Sequence, residues 1–357
     1  KDIIGAAQTG TGKTAAFALP TLQRLSEHAP HPRCLVLVPT RELAVQVEEN
    51  FKRYGVLADL RITLLYGGVS YKPQVRELEC GADVIVATPG RLLDLWGQRK
   101  ARLDKIEVLI LDEVDRMLDM GFIEDVSRII NLCPKERQTL LFSATVEKSI
   151  LNIAKWALRE PEIVDARSGA TAAETVAHSI FPVESYQKYD LLLALLQKTD
   201  FKSVIIFTRT KRDADRITEW VESTPYKVTT MHADRSQRER AEALAGFKSG
   251  KYQVMVATDI AARGLDVQGI SHVINYNVPE HPEDYVHRIG RTGRASAEGE
   301  AFTLFSPDEI MHLQAIEQLL GRSIERRKLD GFRYRFEPMM GAPAAAARPA
   351  GLRRRNR

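Results

Sequence analysis

The feature that most constrains this chain is a rhythm of short apolar runs separated by amphipathic stretches at helical spacing, and the rhythm occurs twice. In the first half the runs are Cys34 to Val38, Ile62 to Tyr66, Val84 to Ala87, Val108 to Leu111 and Thr139 to Phe142. In the second they are Val204 to Phe207, Val228 to Met231, Val254 to Ala257, Val273 to Tyr276 and Ala301 to Phe305. Runs this short and this apolar suit strands buried on both faces, and the helical segments between them supply the crossovers that parallel strands require. The expected fold is α/β, with two domains, each a mostly parallel sheet carrying helices on both faces. In such sheets ligands collect at the carboxyl ends of the strands, so the residues that follow each run become the candidates for chemistry.

The first such place follows Ile3-Ile4. Ala7-Gln8-Thr9-Gly10-Thr11-Gly12-Lys13-Thr14 is a glycine-punctuated loop that opens a helix. Gly10 and Gly12 allow backbone conformations that turn several N–H groups inward, and the helix beginning near Lys13 adds the positive end of its dipole. Lys13 is placed to neutralise the outer phosphates of a nucleotide, and Thr14 to offer a hydroxyl to Mg²⁺. Ala7 stands where the strict phosphate-loop pattern has Gly, and an ordinary strand-to-helix turn is the competing reading. The run Val108 to Leu111 delivers Asp112-Glu113-Val114-Asp115 at its tip. There Asp112 would hold hydrated Mg²⁺ and Glu113 would orient or deprotonate a water. Acidic residues also cap helices, and Arg116 to Met120 reads as a short helix closed by Gly121. The second half has no Gly-rich Lys-Thr loop, so it is expected to share the fold of the first half without being a second nucleotide site.

Thr40, after the run Cys34 to Val38, is an expected N-cap for a helix carrying Leu43, Val47 and Phe51 at its buried spacing. The same free N–H groups, with Arg41 beside them, would hold a backbone phosphate. Similar places recur at Gly67-Gly68 and at Thr88-Pro89-Gly90-Arg91; each alone is a tight turn, and three at strand ends suggest a track. In the second half, Ser236-x-x-Glu239 makes a capping box for a helix ending before Gly250. Ala241, Leu244 and Phe247 are expected to face inward, and Gln237 and Arg240 outward. Thr258-Asp259 ends one strand, Arg263-Gly264-Leu265-Asp266 follows, and Arg288, Arg291 and Arg294 lie together between His287 and Arg294. A solvated turn would explain the three arginines; beside a phosphate loop elsewhere in the chain, they read as groups offered to a γ-phosphate from the opposite domain.

The length of 357 residues allows two domains and a tail, and 44% hydrophobic with 27% charged residues is a globular balance. No apolar run approaches the ~18 residues of a membrane helix and no N-terminal secretion pattern is visible, so no membrane partner and a cytoplasmic location are expected. Cys34, Cys80 and Cys133 lie far apart, suggest neither zinc nor disulfides, and read as buried small hydrophobes. The net charge of +4 conceals an asymmetry: residues 322–357 carry +8 and residues 1–321 carry −4. An acidic body cannot hold a polyanion by bulk charge and needs locally placed groups. The small, polar stretch between Asp165 and Thr175 marks a domain boundary. The expected organisation is a nucleotide-binding domain over 1–165, a linker over 166–175, a second domain over 176–337 and a disordered basic tail over 338–357, which would add sequence-independent attraction to nucleic acid. The chain begins at Lys1 without an initiator Met and reads as a stretch of something longer.

Taken together, AQTGTGKT, PTRELA, TPGR, DEVD, SAT, ARGLD and HRIGRTGR occur in the order that marks the DEAD-box RNA helicases of superfamily 2, and residues 1 to about 330 resemble that family. The wording around DEVDRMLDMGF and FTRTK is similar to the bacterial RhlE-type subgroup. The resemblance implies two RecA-like domains that close over ATP and single-stranded RNA. It implies that Ala7 to Thr14 hold the nucleotide, with Lys13 and Thr14 at the phosphates and Mg²⁺, Asp112 at the metal, Glu113 at the attacking water and Asp266 at the ribose. Arg291 and Arg294 would be arginine fingers, and Ser143 and Thr145 would link Asp115 and His287 so that hydrolysis is coupled to closure. RNA would lie across Thr40, Arg41, Gly68, Thr88 and Arg91 on one domain and Arg209, Gln237, Arg240 and Thr258 on the other. Two departures stand out: Val114 replaces the family's Ala, with its side chain expected to point away from the metal, and the family's adenine-reading segment, which lies upstream of the phosphate loop, is not in this sequence. The implied activity is ATP-driven local separation of RNA duplexes with little sequence preference. An ATP-gated RNA clamp or assembly scaffold is the alternative, a DNA-directed motor is a more distant one, and no protein partner is indicated.

Overall fold

All ten apolar runs form strands in the computed structural model, which describes residues 1–7, 11–145, 148–166, 176–262, 270–292 and 299–335. The chain divides into two units between Gly169 and Ala170. In the first unit the strands are β1 (Ile3–Ala6), β2 (Cys34–Leu37), β3 (Ile62–Leu65), β4 (Val84–Ala87), β5 (Val108–Leu111), β6 (Gln138–Ser143) and β7 (Glu162–Asp165). They form one parallel sheet in the order β3-β4-β2-β5-β6-β1-β7. The second unit contains β8 (Ala177–Pro182), β9 (Val204–Thr208), β10 (Val228–Met231), β11 (Val254–Thr258), β12 (His272–Asn275), β13 (Glu300–Phe305) and β14 (Glu325–Arg326). Their order, β10-β11-β9-β12-β13-β8-β14, repeats that of the first sheet strand for strand. Both units are RecA-like α/β sheets.

The central strands are buried on both faces, and their period of two sorts side chains between two cores. Leu35, Leu37, Leu109 and Leu111 meet Val126 and Ile129 of the helix Ile123–Leu132 on one face. Cys34, Val36 and Ile110 meet Phe17 of the helix Lys13–Leu25 and Val47 and Phe51 of the helix Arg41–Tyr54 on the other. No described helix is long and apolar enough to cross a membrane.

Two readings of the sequence are corrected here. Cys80 is exposed, because it caps the carboxyl end of the helix Lys72–Glu79 at the sheet margin, whereas Cys34 and Cys133 are buried. On the helix Gln237–Lys248, Ala241 is exposed and Leu244 only half-buried; the inward stripe is Ala243, Gly246 and Phe247, rotated from the expected one because the helix packs shallowly against β10 and β11. The capping box at Ser236 and Glu239 forms as expected.

Candidate nucleotide and nucleic-acid sites

The strand order separates the candidate residues of the first unit into two groups along one sheet edge. β1, β6 and β5 are neighbours, and their carboxyl ends lead to the phosphate loop, to Ser143-Ala144-Thr145 and to Asp112-Glu113. The other half, β2, β4 and β3, leads to Thr40-Arg41, to Thr88-Pro89-Gly90-Arg91 and to Gly67-Gly68. The candidate phosphate-loop residues and the candidate backbone-binding residues therefore lie on adjoining halves of the same edge.

In the first half, the Ala7 N–H donates to the Ser143 carbonyl at 3.1 Å. Gly12, at φ +89°, turns the chain through the left-handed region into the helix at Lys13, and open space surrounds the place where a Cβ would stand, so the backbone angle is what selects glycine. Lys13 and Asp112 are both buried, with Lys13 Nζ 3.9 Å from Asp112 Oδ1. That is an ion pair at arm's length, too long for a hydrogen bond. Burial pushes the Asp112 carboxyl up to about 6, the charge of Lys13 opposes the rise, and the charges of Glu113 and Asp115 add to it. Asp112 Oδ1 accepts the Glu113 N–H at 3.0 Å.

Glu113 sits at φ +53°, ψ +52°, a left-handed conformation that a side chain makes costly by about 1 kcal/mol. Its carboxylate accepts from Arg116 Nη1 at 3.1 Å. Such strain at a strand tip is a common mark of a working site. The next residue, Val114, is fully buried in the core beside Met117, so the extra methyls relative to Ala serve packing. Asp115 reaches across to the end of β6, where its Oδ2 accepts the Ala144 N–H at 2.9 Å, and Ser143 Oγ accepts the Thr145 N–H at 3.3 Å. The link between the two segments thus runs through the backbone of Ala144, which no motif-based reading singled out.

In the second half, Thr40 caps the helix Arg41–Tyr54, its Oγ1 accepting the Leu43 N–H at 3.4 Å. Gly68 lies at φ +80°, and a Cβ there would stand 2.1 Å from Arg41 Nη1. The angle requires glycine, and a Cβ would also push the guanidinium aside. Arg91 Nη2 donates to the Val69 carbonyl at 3.0 Å, and Thr88, whose N–H donates to Leu65, leaves its side chain out of the cap of its helix. Arg41 and Arg91 are accordingly gathered around the turn after β3, with Thr40 and Thr88 at the heads of the flanking helices.

The second unit repeats this grouping. Arg209 follows β9, Thr258 ends β11, and Gln237 and Arg240 open the helix after β10. The Arg209 N–H donates to Asn277 Oδ1 at 3.0 Å, and its guanidinium faces Glu280 at 3.4 Å and Glu309 at 3.6 Å. His287 and Arg291 lie on and just after the helix Pro282–Ile289, and Arg291 is buried. Arg288 does not belong with the groups offered to phosphate. It is 2% exposed, its Nε and Nη2 each donate to Asp259 at 2.6 Å, and its Nη1 donates to Asn275 Oδ1 at 3.2 Å and to the Asn277 carbonyl at 2.8 Å. Its guanidinium also lies over the Phe207 ring, 5.2 Å from the centroid. With its donors engaged in this way, Arg288 ties β11, β12 and β9 together. Gln8, Thr9, Gly10, Asp266 and Arg294, together with most of the expected linker and the whole tail, lie outside the described residues.

Comparison with known proteins agrees with this geometry. The DEAD/DEAH box helicase family profile matches residues 1–153, and the helicase conserved C-terminal domain profile matches residues 187–296. The DEAD-box ATP-dependent RNA helicase CshA of Bacillus subtilis is 43% identical over 328 residues, which cover 92% of this chain and 66% of that protein. The ATP-dependent RNA helicase RhlB of Pseudomonas syringae pv. tomato is 43% identical over 334 residues, covering 91% and 84%. This chain thus spans about two thirds of the CshA length. Among solved structures, S. cerevisiae Dbp5 bound to RNA and ADP BeF3 matches with a TM-score of 0.80 at 31% identity, covering 92% of this chain and 85% of that one. On these family matches and identities, the chain belongs to the DEAD-box ATP-dependent RNA helicases.

Proposed function

We propose that this chain hydrolyses ATP in response to RNA and uses the cycle to separate short RNA duplexes locally, in the cytoplasm. The observation that carries the reading is the buried Lys13–Asp112 pair at 3.9 Å, a cation and a carboxylate held apart at the mouth of a phosphate loop. Two buried charges that do not complete each other are stabilised when a polyphosphate and its counter-ion arrive. The donor set also fits Mg²⁺, which takes one or two carboxylates plus substrate phosphates and keeps several waters. Asp112 and Thr14 are the residues that would hold it, and its charge would offset that developing on the phosphates.

The remaining roles are those that the family resemblance implies. Lys13 and the loop from Ala7 to Thr14 hold the phosphates, with the Ala7 N–H itself spent on the Ser143 carbonyl, and Asp266 holds the ribose. Glu113, held in a strained turn by Arg116, orients the attacking water. Arg291 and Arg294, supplied from domain 176–337 to domain 1–165, stabilise charge on the transferring phosphoryl group. Asp115, Ser143 and Thr145, with His287, couple that chemistry to closure. RNA is held by Thr40, Arg41, Gly68, Thr88 and Arg91 and by Arg209, Gln237, Arg240 and Thr258. These groups address phosphate and sugar, which implies little sequence preference.

Steady-state ATP hydrolysis with and without single-stranded RNA, combined with strand displacement, tests the reading. RNA should stimulate turnover, and Arg291→Ala should lower the stimulated rate by ~10³–10⁵ while nucleotide binding persists. Undiminished turnover in that variant would sink the arginine-finger role. RNA affinity that rises with a non-hydrolysable ATP analogue, with no duplex lost under ATP, would convert the reading to an ATP-gated clamp.

A further inference from the structure

We propose that the open margin of the first sheet, along β3, is a docking groove for an acidic, extended peptide segment of a partner protein, taken up as an added strand. β3 ends the sheet: β4 lies on one side, and among the described residues no strand lies on the other. The carbonyls of Arg61 and Leu65 accept from Asp83, Val84 and Thr88 on the β4 side. The alternation of a parallel ladder then turns the peptide groups of Ile62 and Leu64 outward, a row of donors and acceptors with no neighbouring strand.

A groove of about 500 Å³ lies along this margin at the start of the strand, away from the Gly67-Gly68 turn that follows its end. Leu60 to Thr63 form the floor. Lys52, on the helix Arg41–Tyr54, forms one wall, and Pro73 and Arg76, on the helix Lys72–Glu79, form the other. Those helices cover opposite faces of the sheet, so the groove opens on the strand's edge and not on a face.

Charge complementarity chooses the occupant. Lys52, Arg61 and Arg76 are exposed and line the floor and both walls, against the single lining carboxylate Glu77; Lys52 also pairs with Glu48 on its own helix and Arg61 Nη1 donates to the Cys80 carbonyl, contacts that an incoming carboxylate would share. Val56 and Leu57, in the loop just before the floor, are 77% and 99% exposed. An extended segment that alternates carboxylates with apolar side chains satisfies the outward peptide groups, the three cations and the apolar tip together. A nucleic acid would use the cations alone, leaving the peptide row and the apolar contacts without a partner.

The groove carries its own reporter, since Cys80 lines it and is exposed, whereas Cys34 and Cys133 are buried. The probes are a synthetic peptide of alternating Glu and Val, its Lys-Val counterpart, and single-stranded RNA, each added to the full chain. The Glu-Val peptide should slow alkylation of Cys80 and protect the Ile62 and Leu64 amides from hydrogen exchange, and the Lys-Val peptide should do neither. The double variant Arg61→Glu with Arg76→Glu should weaken peptide binding by at least about tenfold, the size of one or two lost charge-assisted hydrogen bonds, and leave RNA-stimulated ATPase unchanged. Equal protection by Lys-Val, or none by Glu-Val, overturns the proposal and leaves the cations as guards against edge pairing. Protection of the same amides by RNA makes the groove a nucleic-acid site and overturns it. Protection that fades on dilution without any peptide makes the occupant a second copy of this chain and overturns it too.

Discussion

Each unit buries a cation facing an aspartate, and the two pairs are built in opposite ways. In the first unit Lys13 and Asp112 stand 3.9 Å apart, and burial has pushed the carboxyl up to about 6. In the second, Arg288 holds Asp259 through two bonds of 2.6 Å and spends a further nitrogen on Asn275 and the Asn277 carbonyl. Desolvation is costly for both, and in the second unit hydrogen bonds answer it inside the fold. In the first it is left for a ligand to answer. We read the complete pair as scaffold and the incomplete one, at the end of a strand, as the candidate site.

Removing the cation from each pair should separate these two meanings. Lys13→Ala should lower RNA-stimulated ATPase by roughly 10³ or more, because a preorganised positive charge at the phosphates is lost. It should change the unfolding free energy by less than about 1 kcal/mol, since Asp112, already near its protonation point, takes up a proton in place of an unpaired buried charge. Arg288→Ala should do the reverse in kind, destabilising the second unit by about 3–5 kcal/mol in chemical denaturation by stranding the groups it ties together. Equal destabilisation by the two variants would break the comparison.

A smaller effect is expected at His178 in the second unit. Burial, helped by the charge of Arg322, lowers its pKa from 6.5 to about 4, and its Nδ1 lies 2.8 Å from the Tyr285 hydroxyl. Its folded value is below its unfolded one, so above pH 6.5 it has no effect on stability. As pH falls from there toward 4 the unfolded chain takes up a proton that the folded chain resists, and about 2 kcal/mol of stability is lost, allowing for the partial exposure of the ring. The difference between wild type and His178→Gln across that window isolates this group from the carboxylates that titrate below it. Parallel curves would remove His178 from the account.

Much of this arrangement was legible in the sequence because buried parallel strands advertise themselves. β2, β4 and β5 are uninterrupted apolar runs, and the residues after them had to lie at one sheet edge once the strands were parallel. β7, β8 and β14 were not legible. All four residues of β7 are exposed, β14 has two residues, and β8 begins Ala-His-Ser; their pairing is decided by the neighbouring strand and not by their own pattern. Among the arginines between His287 and Arg294, spacing alone could not say which faced solvent or ligand and which was spent inside. Arg288 is spent on Asp259, 29 positions away in the chain and brought beside it by folding. Ala144 was missed for a related reason: its contribution is a backbone N–H, which every residue except proline carries.

The least costly substitution in this set tests whether the turn after β3 is a site or only a turn. Gly68 has φ +80°, and a Cβ there would lie 2.1 Å from Arg41 Nη1; at Gly67 the nearest atom to a Cβ is Arg41 Nη2 at 3.6 Å, an ordinary contact. Gly68→Ala should therefore cost about 1 kcal/mol in backbone strain and also push the guanidinium aside, whereas Gly67→Ala should leave Arg41 where it is. The end of a long side chain yields easily, so the displacement adds little to the stability loss. Its cost should appear in RNA affinity, as a fall of up to about tenfold for Gly68→Ala with the RNA-free ATPase unchanged. If the turn is only a turn, affinity will be the same in both variants and only stability will differ; if Arg41 is held by Gly68 in order to meet a phosphate, the two glycines will part company in RNA binding, and their ratio measures what that one guanidinium contributes.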